Sequence, residues 1–268
     1  IPRTLALTLH GDLDVSQLDE LPPGRTPVNT QVISPKDKQF AYDLIRTEIH
    51  KGHQIYVVLP LIEESEKLEL SSAVDVHHHL STDIFVDYTV ELLHGKMKSL
   101  EKQEVIQKFL NKNIDILVST TVIEVGVDVP NASVMLIEDS DRFGLSQLHQ
   151  LRGRVGRGAS KSYCLLSHQN KNKLSQQRLD VLVNSNDGFE IAEIDLRFRG
   201  PGQVLGTKQS GLPDFALASL AEDSDVLELA RAEARMLLDS DPQLTNNTML
   251  RMLIKEQWDK LKIGNKLN

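Results

Sequence analysis

From residue 28 to residue 168 the sequence switches repeatedly between two periods, and few folds can accommodate that switching. Short apolar, β-branched runs at 28–33, 54–60, 86–93, 114–118, 132–137 and 161–166 read as strands. Between them, segments 36–51, 63–80, 99–110 and 144–155 read as helices. In the first helix the apolar positions are Phe40, Leu44, Ile45 and Ile49. Gly52 is placed to end that helix and Ser99 to cap the third. Strands that are apolar throughout and alternate with helices predict a parallel sheet covered on both faces. The expected organisation is a lead-in over 1–34, an α/β domain over 35–168 and a helical region over 169–268. In the lead-in, residues 5–9 fit either a helix or a strand, and Pro22, Pro23 and Pro27 mark a connection that no helix crosses. In the helical region, helices at 171–184 and 189–198 form a hairpin around Asn186, Asp187 and Gly188. A loop at 199–213 holds four glycines and two prolines, and helices at 225–238 and 248–261 are split by Asp241 and Pro242.

Composition narrows the function. The chain has 268 residues, 40% hydrophobic and 25% charged, which suits one or two domains with a proper core. No apolar run approaches the roughly 18 residues of a membrane-spanning helix. A net charge of −8 excludes a generally basic surface, so any nucleic-acid contact must come from a local patch. The single cysteine, Cys164, excludes an intrachain disulfide and fits a small core residue in the apolar run 162–166. The sequence opens on Ile1-Pro2-Arg3-Thr4, with no methionine and no signal pattern, and reads as a piece of a longer chain. Any targeting segment is expected upstream.

Three segments follow predicted strands, where α/β sheets gather their ligands. They are 92–97, with His94 and Gly95; 119–128, with Thr120, Thr121, Glu124, Gly126 and Asp128; and 150–158. The last places Arg152, Arg154 and Arg157 among Gly153, Gly156 and Gly158. Arginine presents a rigid fork suited to phosphate oxygens, and glycine lets backbone approach a ligand. Each segment also has a structural reading. The arginine cluster suits a solvated turn, Thr120 or Thr121 a helix cap, and Asp128 a turn before Val129-Pro130. Arg178 also fits a solvated helix face. His77, His78 and His79 are adjacent on a helix and cannot converge on one metal ion, so no metal site is expected there. Trp258 suits a packing anchor, and Lys255, Lys260, Lys262 and Lys266 suit a solvated basic tail or a weak DNA contact. No G-x-x-x-x-G-K-[ST] phosphate loop occurs, and Asp19-Glu20 runs into Leu-Pro-Pro, unlike an acid pair on a strand.

The segment VSTTVIEVGVDV at 118–129 resembles motif V of superfamily 2 helicases, and Gln150-x-x-Gly153-Arg154-x-x-Arg157 resembles their motif VI. Residues 93–110 are similar to the segment between motifs IV and V. Residues 195–211, DLRFRGPGQVLGTKQSG, resemble the translocation motif shared by the RecG family and the transcription-repair coupling factors. Residues 1–4 look like the tail of motif III, and residues 11–16, 19–25 and 212–215 favour the RecG family.

The resemblance implies a second RecA-like motor domain followed by a helical hairpin and translocation loop. It implies arginine fingers at Arg154 and Arg157, ordered by Gln150. It places Gly153, Glu124, Gly126 and Asp128 around the nucleotide, and His94, Gly95, Thr120 and Thr121 along the DNA backbone. Arg178, Arg199 and Gln209 would couple domain motion to translocation. ATP and Mg2+ would be held mainly by an upstream motor domain, leaving this fragment alone inactive. The implied partner is branched double-stranded DNA, forks and Holliday junctions, handled by a monomer away from membranes. The family's default setting is the bacterial cytosol and nucleoid; a plastid or mitochondrial version would carry its transit peptide upstream. Two other readings stand beside this one: a coupling factor acting on RNA polymerase, and a catalytically silent binding module.

Overall fold

A computed structural model describes residues 26–60, 66–120, 129–158, 160–169, 172–199 and 224–264. Expectations for the lead-in through residue 25 and for the loop at 200–213 lie outside the described residues. The chain divides into two compact units, the first being Leu18–Ile191 and the second containing Ala192–Asn268.

In the first unit six strands form one parallel sheet: β1 (Asn29–Ile33), β2 (Gln54–Val58), β3 (Val90–Leu93), β4 (Ile116–Ser119), β5 (Ala132–Ile137) and β6 (Tyr163–Ser167). Their order is β1-β6-β5-β2-β4-β3, and every neighbouring pair is parallel. The helices are α1 (Lys38–His50), α2 (Glu66–His79), α3 (Ser99–Leu110), α4 (Leu145–Arg152) and α5 (Lys173–Asn184), with α6 (Gly188–Arg199) running across the unit boundary. The fold is the RecA-like α/β class expected from the sequence. Side chains alternate along each strand. Ile55, Val57, Ile116, Val118, Val134 and Leu136 pack with Ala41, Tyr42, Ile45 and Ala73 of α1 and α2. Tyr56 points to the other face and meets Phe109 of α3, ring centroids 5.0 Å apart.

Several boundaries differ from the sequence expectation. On α1 the buried stripe is Ala41, Tyr42, Ile45, Glu48 and Ile49, while Phe40 is 52% exposed. The helix phase is set by the residues that reach the sheet, and Phe40 lies one position off it. Residues 86–89 are not strand. The helix after α2 widens into a π-turn at Leu80–Ile84, where Phe85 N–H donates to Leu80 O at 2.8 Å. That widening places Phe85 in the core against Tyr42 and delays β3 to Val90. Ser99 is the first helical residue of α3 and not its cap; Lys98 holds the cap position, its N–H bonded to Glu101 Oε2 at 3.0 Å. Gly52 does close α1. Its φ is +83°, and Gly52 and His53 N–H donate to Ile49 O and Glu48 O, the paired bonds of a Schellman ending.

In the second unit α7 (Ser224–Ser240) and α8 (Thr248–Gly264) are separated by a turn organised on Asp241. Its carboxylate accepts from Thr245 N–H and Asn246 N–H, each at 2.8 Å. No helix among the described residues is long and apolar enough to cross a membrane.

Candidate functional site

The arginine segment is built by the end of α4. Leu145, Leu148 and Leu151 face the core and leave Gln150 exposed on the opposite side. The helix closes with Gly153 N–H on His149 O at 3.0 Å and Arg154 N–H on Leu151 O at 2.9 Å. Val155 is fully buried and pins the next step. Gly156 then takes φ +77°, and a Cβ there would stand 2.8 Å from Val28 Cγ2. A Cβ on Gly158 would stand 2.8 Å from Pro130 O. Between these pins Arg154 is half-buried and Arg157 exposed, with Arg157 Nε donating to Gly153 O at 3.1 Å.

The contacts of Gly156 and Gly158 correct one expectation. Val28, Pro130 and Ser162 all precede strands, so this turn lies at the amino edge of the parallel sheet, not at the carboxyl ends. The crossover from β5 to β6 requires it, because a helix between parallel strands must carry the chain back to the starting edge.

The carboxyl edge carries the other segment. Leu93 of β3 is in register with Ser119 of β4, so His94 and Thr120 emerge side by side. Burial, with Lys102 nearby, pulls the His94 pKa below its ordinary value. His94 Nδ1 is shielded from solvent and has no hydrogen-bond partner among the described residues. Gly95 O accepts from Lys102 Nζ at 2.5 Å. Thr120 is only 4% exposed, and its N–H is bonded to Leu93 O at 3.3 Å. That N–H is used at the sheet edge, which leaves the Thr120 hydroxyl as the group for the expected contact with the DNA backbone. Thr121, Glu124, Gly126 and Asp128 lie outside the described residues, as does Gln209.

Arg178 stands half-buried on α5, its Nη2 donating to Phe143 O at 2.8 Å. Arg199 ends α6, and its side chain lies outside the described set, as do those of Trp258, Lys260 and Lys262; Lys255 is exposed. His77 bonds Val90 O at 3.1 Å and His79 bonds Asp83 Oδ2 at 2.8 Å, so the histidines turn to separate partners. Cys164 is fully buried, and burial pushes its thiol pKa up to about 12.

Arg152, grouped in the sequence with the phosphate-suited or solvated arginines, is instead only 4% exposed. Its Nη1 donates to Leu182 O at 2.6 Å and Ser185 O at 2.9 Å, and its Nη2 meets His149 Nδ1 at 3.0 Å. A signal was available. Residue 152 falls on the same helix stripe as Leu145 and Leu148, whereas Arg154 and Arg157 follow the helix.

A six-stranded parallel RecA-like sheet, with the segment at 150–157 that resembles motif VI, marks the class of superfamily 2 helicase C-terminal domains. The model of the helicase conserved C-terminal domain matches residues 37–159. That of ATP-dependent DNA helicase RecG, domain 3, C-terminal, matches residues 185–266. The chain belongs to the RecG family and corresponds to its C-terminal region. It is 58% identical over 261 residues to the ATP-dependent DNA helicase RecG of Synechocystis sp., covering 97% of this chain and 31% of the relative. It is 50% identical over 271 residues to that of Aquifex aeolicus, covering 98% and 34%. A solved structure of RecG bound to a three-way DNA junction matches with a TM-score of 0.67 and 45% identity, over 85% of this chain and 29% of that one. The chain therefore spans about a third of the length of the relatives it matches.

Proposed function

We propose that this chain is the C-terminal motor portion of an ATP-driven double-stranded DNA translocase that remodels stalled forks and Holliday junctions in repair and recombination. The observation that carries the reading is the turn at 153–158. Arg154 and Arg157 stand on backbone that Gly156 and Gly158 hold in one conformation. Preorganised guanidinium groups suit the charge that develops on phosphoryl oxygens, and such a finger is worth about 10³–10⁵ in rate. The sequence contains no G-x-x-x-x-G-K-[ST] motif. In this proposal ATP and Mg2+ sit on a preceding motor domain, and Arg154 and Arg157 reach them across the cleft. Magnesium supplies charge neutralisation between the phosphates when bound. Gln150, exposed one turn earlier, orders the same network, and Asp128 with its loop contacts the nucleoside. His94 and Gly95 present the carboxyl edge to the DNA backbone, contacts that carry no sequence information. The protein acts as a monomer in the bacterial cytosol, or in a plastid or mitochondrion if the source is eukaryotic.

In the full-length protein, Arg154→Ala and Arg157→Ala are each expected to lower DNA-stimulated ATP hydrolysis about 10³-fold. Affinity for a three-way junction should stay within about threefold. Undiminished hydrolysis in both variants would instead favour a silent binding module.

A further inference from the structure

Arg152 is a buried cation with no carboxylate partner among the described residues. Isolated burial of a guanidinium is strongly unfavourable, so its surroundings must supply negative potential. They do so from one place. Leu182 is in the last turn of α5 and Ser185 is its C-cap, so Arg152 Nη1 binds carbonyls at the negative end of the helix dipole. Arg152 Nη1 also lies 3.5 Å from Thr30 Oγ1 on β1.

The second half of the contact is a packing fit. An arginine can only donate, so His149 Nδ1 accepts from Arg152 and the ring is neutral, with its proton on Nε2. That same Nε2 lies 2.8 Å from where a Cβ on Gly188 would be. The glycine lets the hairpin loop close over the ring. The loop is also internally tied: Ser185 Oγ donates to Glu190 Oε2, Asp187 N–H donates to Ser185 Oγ at 3.1 Å, and Phe189 N–H donates to Asp187 Oδ1 at 2.8 Å. Thus one end of the joint is the last turn of α4, immediately before Gly153 and Arg154. The other is the loop that leads from α5 into α6.

The geometry points to Arg152 as a positioning residue that makes the arginine-finger turn and the hairpin loop move as one piece, with His149 and Gly188 as the packed half of the joint. The finger turn has independent pins at Val155, Gly156 and Gly158, so breaking the joint leaves the fingers in place and loosens the hairpin loop, while Arg178 on Phe143 O still holds α5. The inference rests on the proposed motor function and makes a different demand. It concerns base pairs unwound per ATP, not hydrolysis itself.

The test uses full-length protein on a three-way junction, with hydrolysis and unwinding measured in the same reaction. Arg152→Met should keep DNA-stimulated hydrolysis within about threefold while base pairs unwound per ATP fall at least tenfold. Arg152→Lys, which retains charge and donors for the carbonyls but has no second nitrogen for His149 Nδ1, should recover part of that loss. Gly188→Ala attacks the joint from the opposite side, and should lower the ratio similarly without removing any charge. The double variant should be no worse than the poorer single one, because both break the same contact. Hydrolysis and unwinding falling in proportion, in whichever of the two single variants remains folded, would overturn the joint. A wild-type protein that neither hydrolyses ATP nor unwinds would instead overturn the motor reading itself.

Discussion

Gly156 and Gly52 both have left-handed φ, +77° and +83°, yet their surroundings differ. A Cβ on Gly52 meets nothing within 4 Å, whereas on Gly156 it would collide with Val28 Cγ2 at 2.8 Å. Gly52→Ala should therefore cost about 1 kcal/mol, the backbone penalty alone. Gly156→Ala should cost about 2–4 kcal/mol, because packing strain adds to it. Denaturant titration of the purified chain checks the gap; equal losses would show that Val28 yields freely. At this scale the sequence spoke clearly for Arg154 and Arg157, whose spacing is the motif. It grouped Arg152 with them, because a charge inside an arginine-rich turn reads as solvated or phosphate-facing until the carbonyls that receive it are located.

The elements of the first unit are fastened at the amino edge by buried polar side chains. Gln54 Nε2 donates to Phe109 O at 2.6 Å and Ile114 O at 2.8 Å, joining the start of β2 to the end of α3. Glu48, 2% exposed on α1, accepts from Lys51 Nζ at 2.7 Å, meets His53 Nδ1 at 2.7 Å and accepts from Ser133 Oγ at 2.9 Å. Burial pushes the Glu48 carboxyl pKa up, but the hydrogen bonds from Lys51, His53 and Ser133 outweigh it and leave the value below ordinary. A depressed folded pKa means that stability is present above the unfolded value, about 4.3, and is lost as pH falls through the folded one. The wild-type melting temperature should drop as pH is lowered below about 4.3, and Glu48→Gln should show a shallower acid drop from a lower neutral value. Identical acid slopes would remove Glu48 from the edge. Periodicity located these helices and strands but not their phase. Phe40 and residues 86–89 show why: an apolar side chain is equally acceptable to either assignment until the sheet decides which stripe is covered.

For the whole molecule, the parallel sheet separates two functional edges. His94 and Thr120 lie at the carboxyl edge and the arginine turn at the amino edge, so under the proposed function the DNA contacts and the arginines occupy opposite edges of one sheet. The 268-residue chain alone should release phosphate from ATP at least about 10³-fold more slowly than the full-length protein on junction DNA. Comparable rates would mean that a complete nucleotide site lies within these residues.

The sequence by itself determined the alternating architecture, the parallel sheet, the two helices at the start of the helical region and the spacing of Arg154 and Arg157 on which the proposed function rests, because hydrophobic period and motif spacing are local properties of the chain. Only the tertiary structure decided which sheet edge each motif occupies, that Phe85 enters the core through a widened turn, and that Arg152 binds the carboxyl end of α5. Those outcomes depend on contacts between residues far apart in the chain, such as Gly156 with Val28 and Arg152 with Leu182. No local period encodes them; the crossover path and the packing of helices against the sheet bring those residues together.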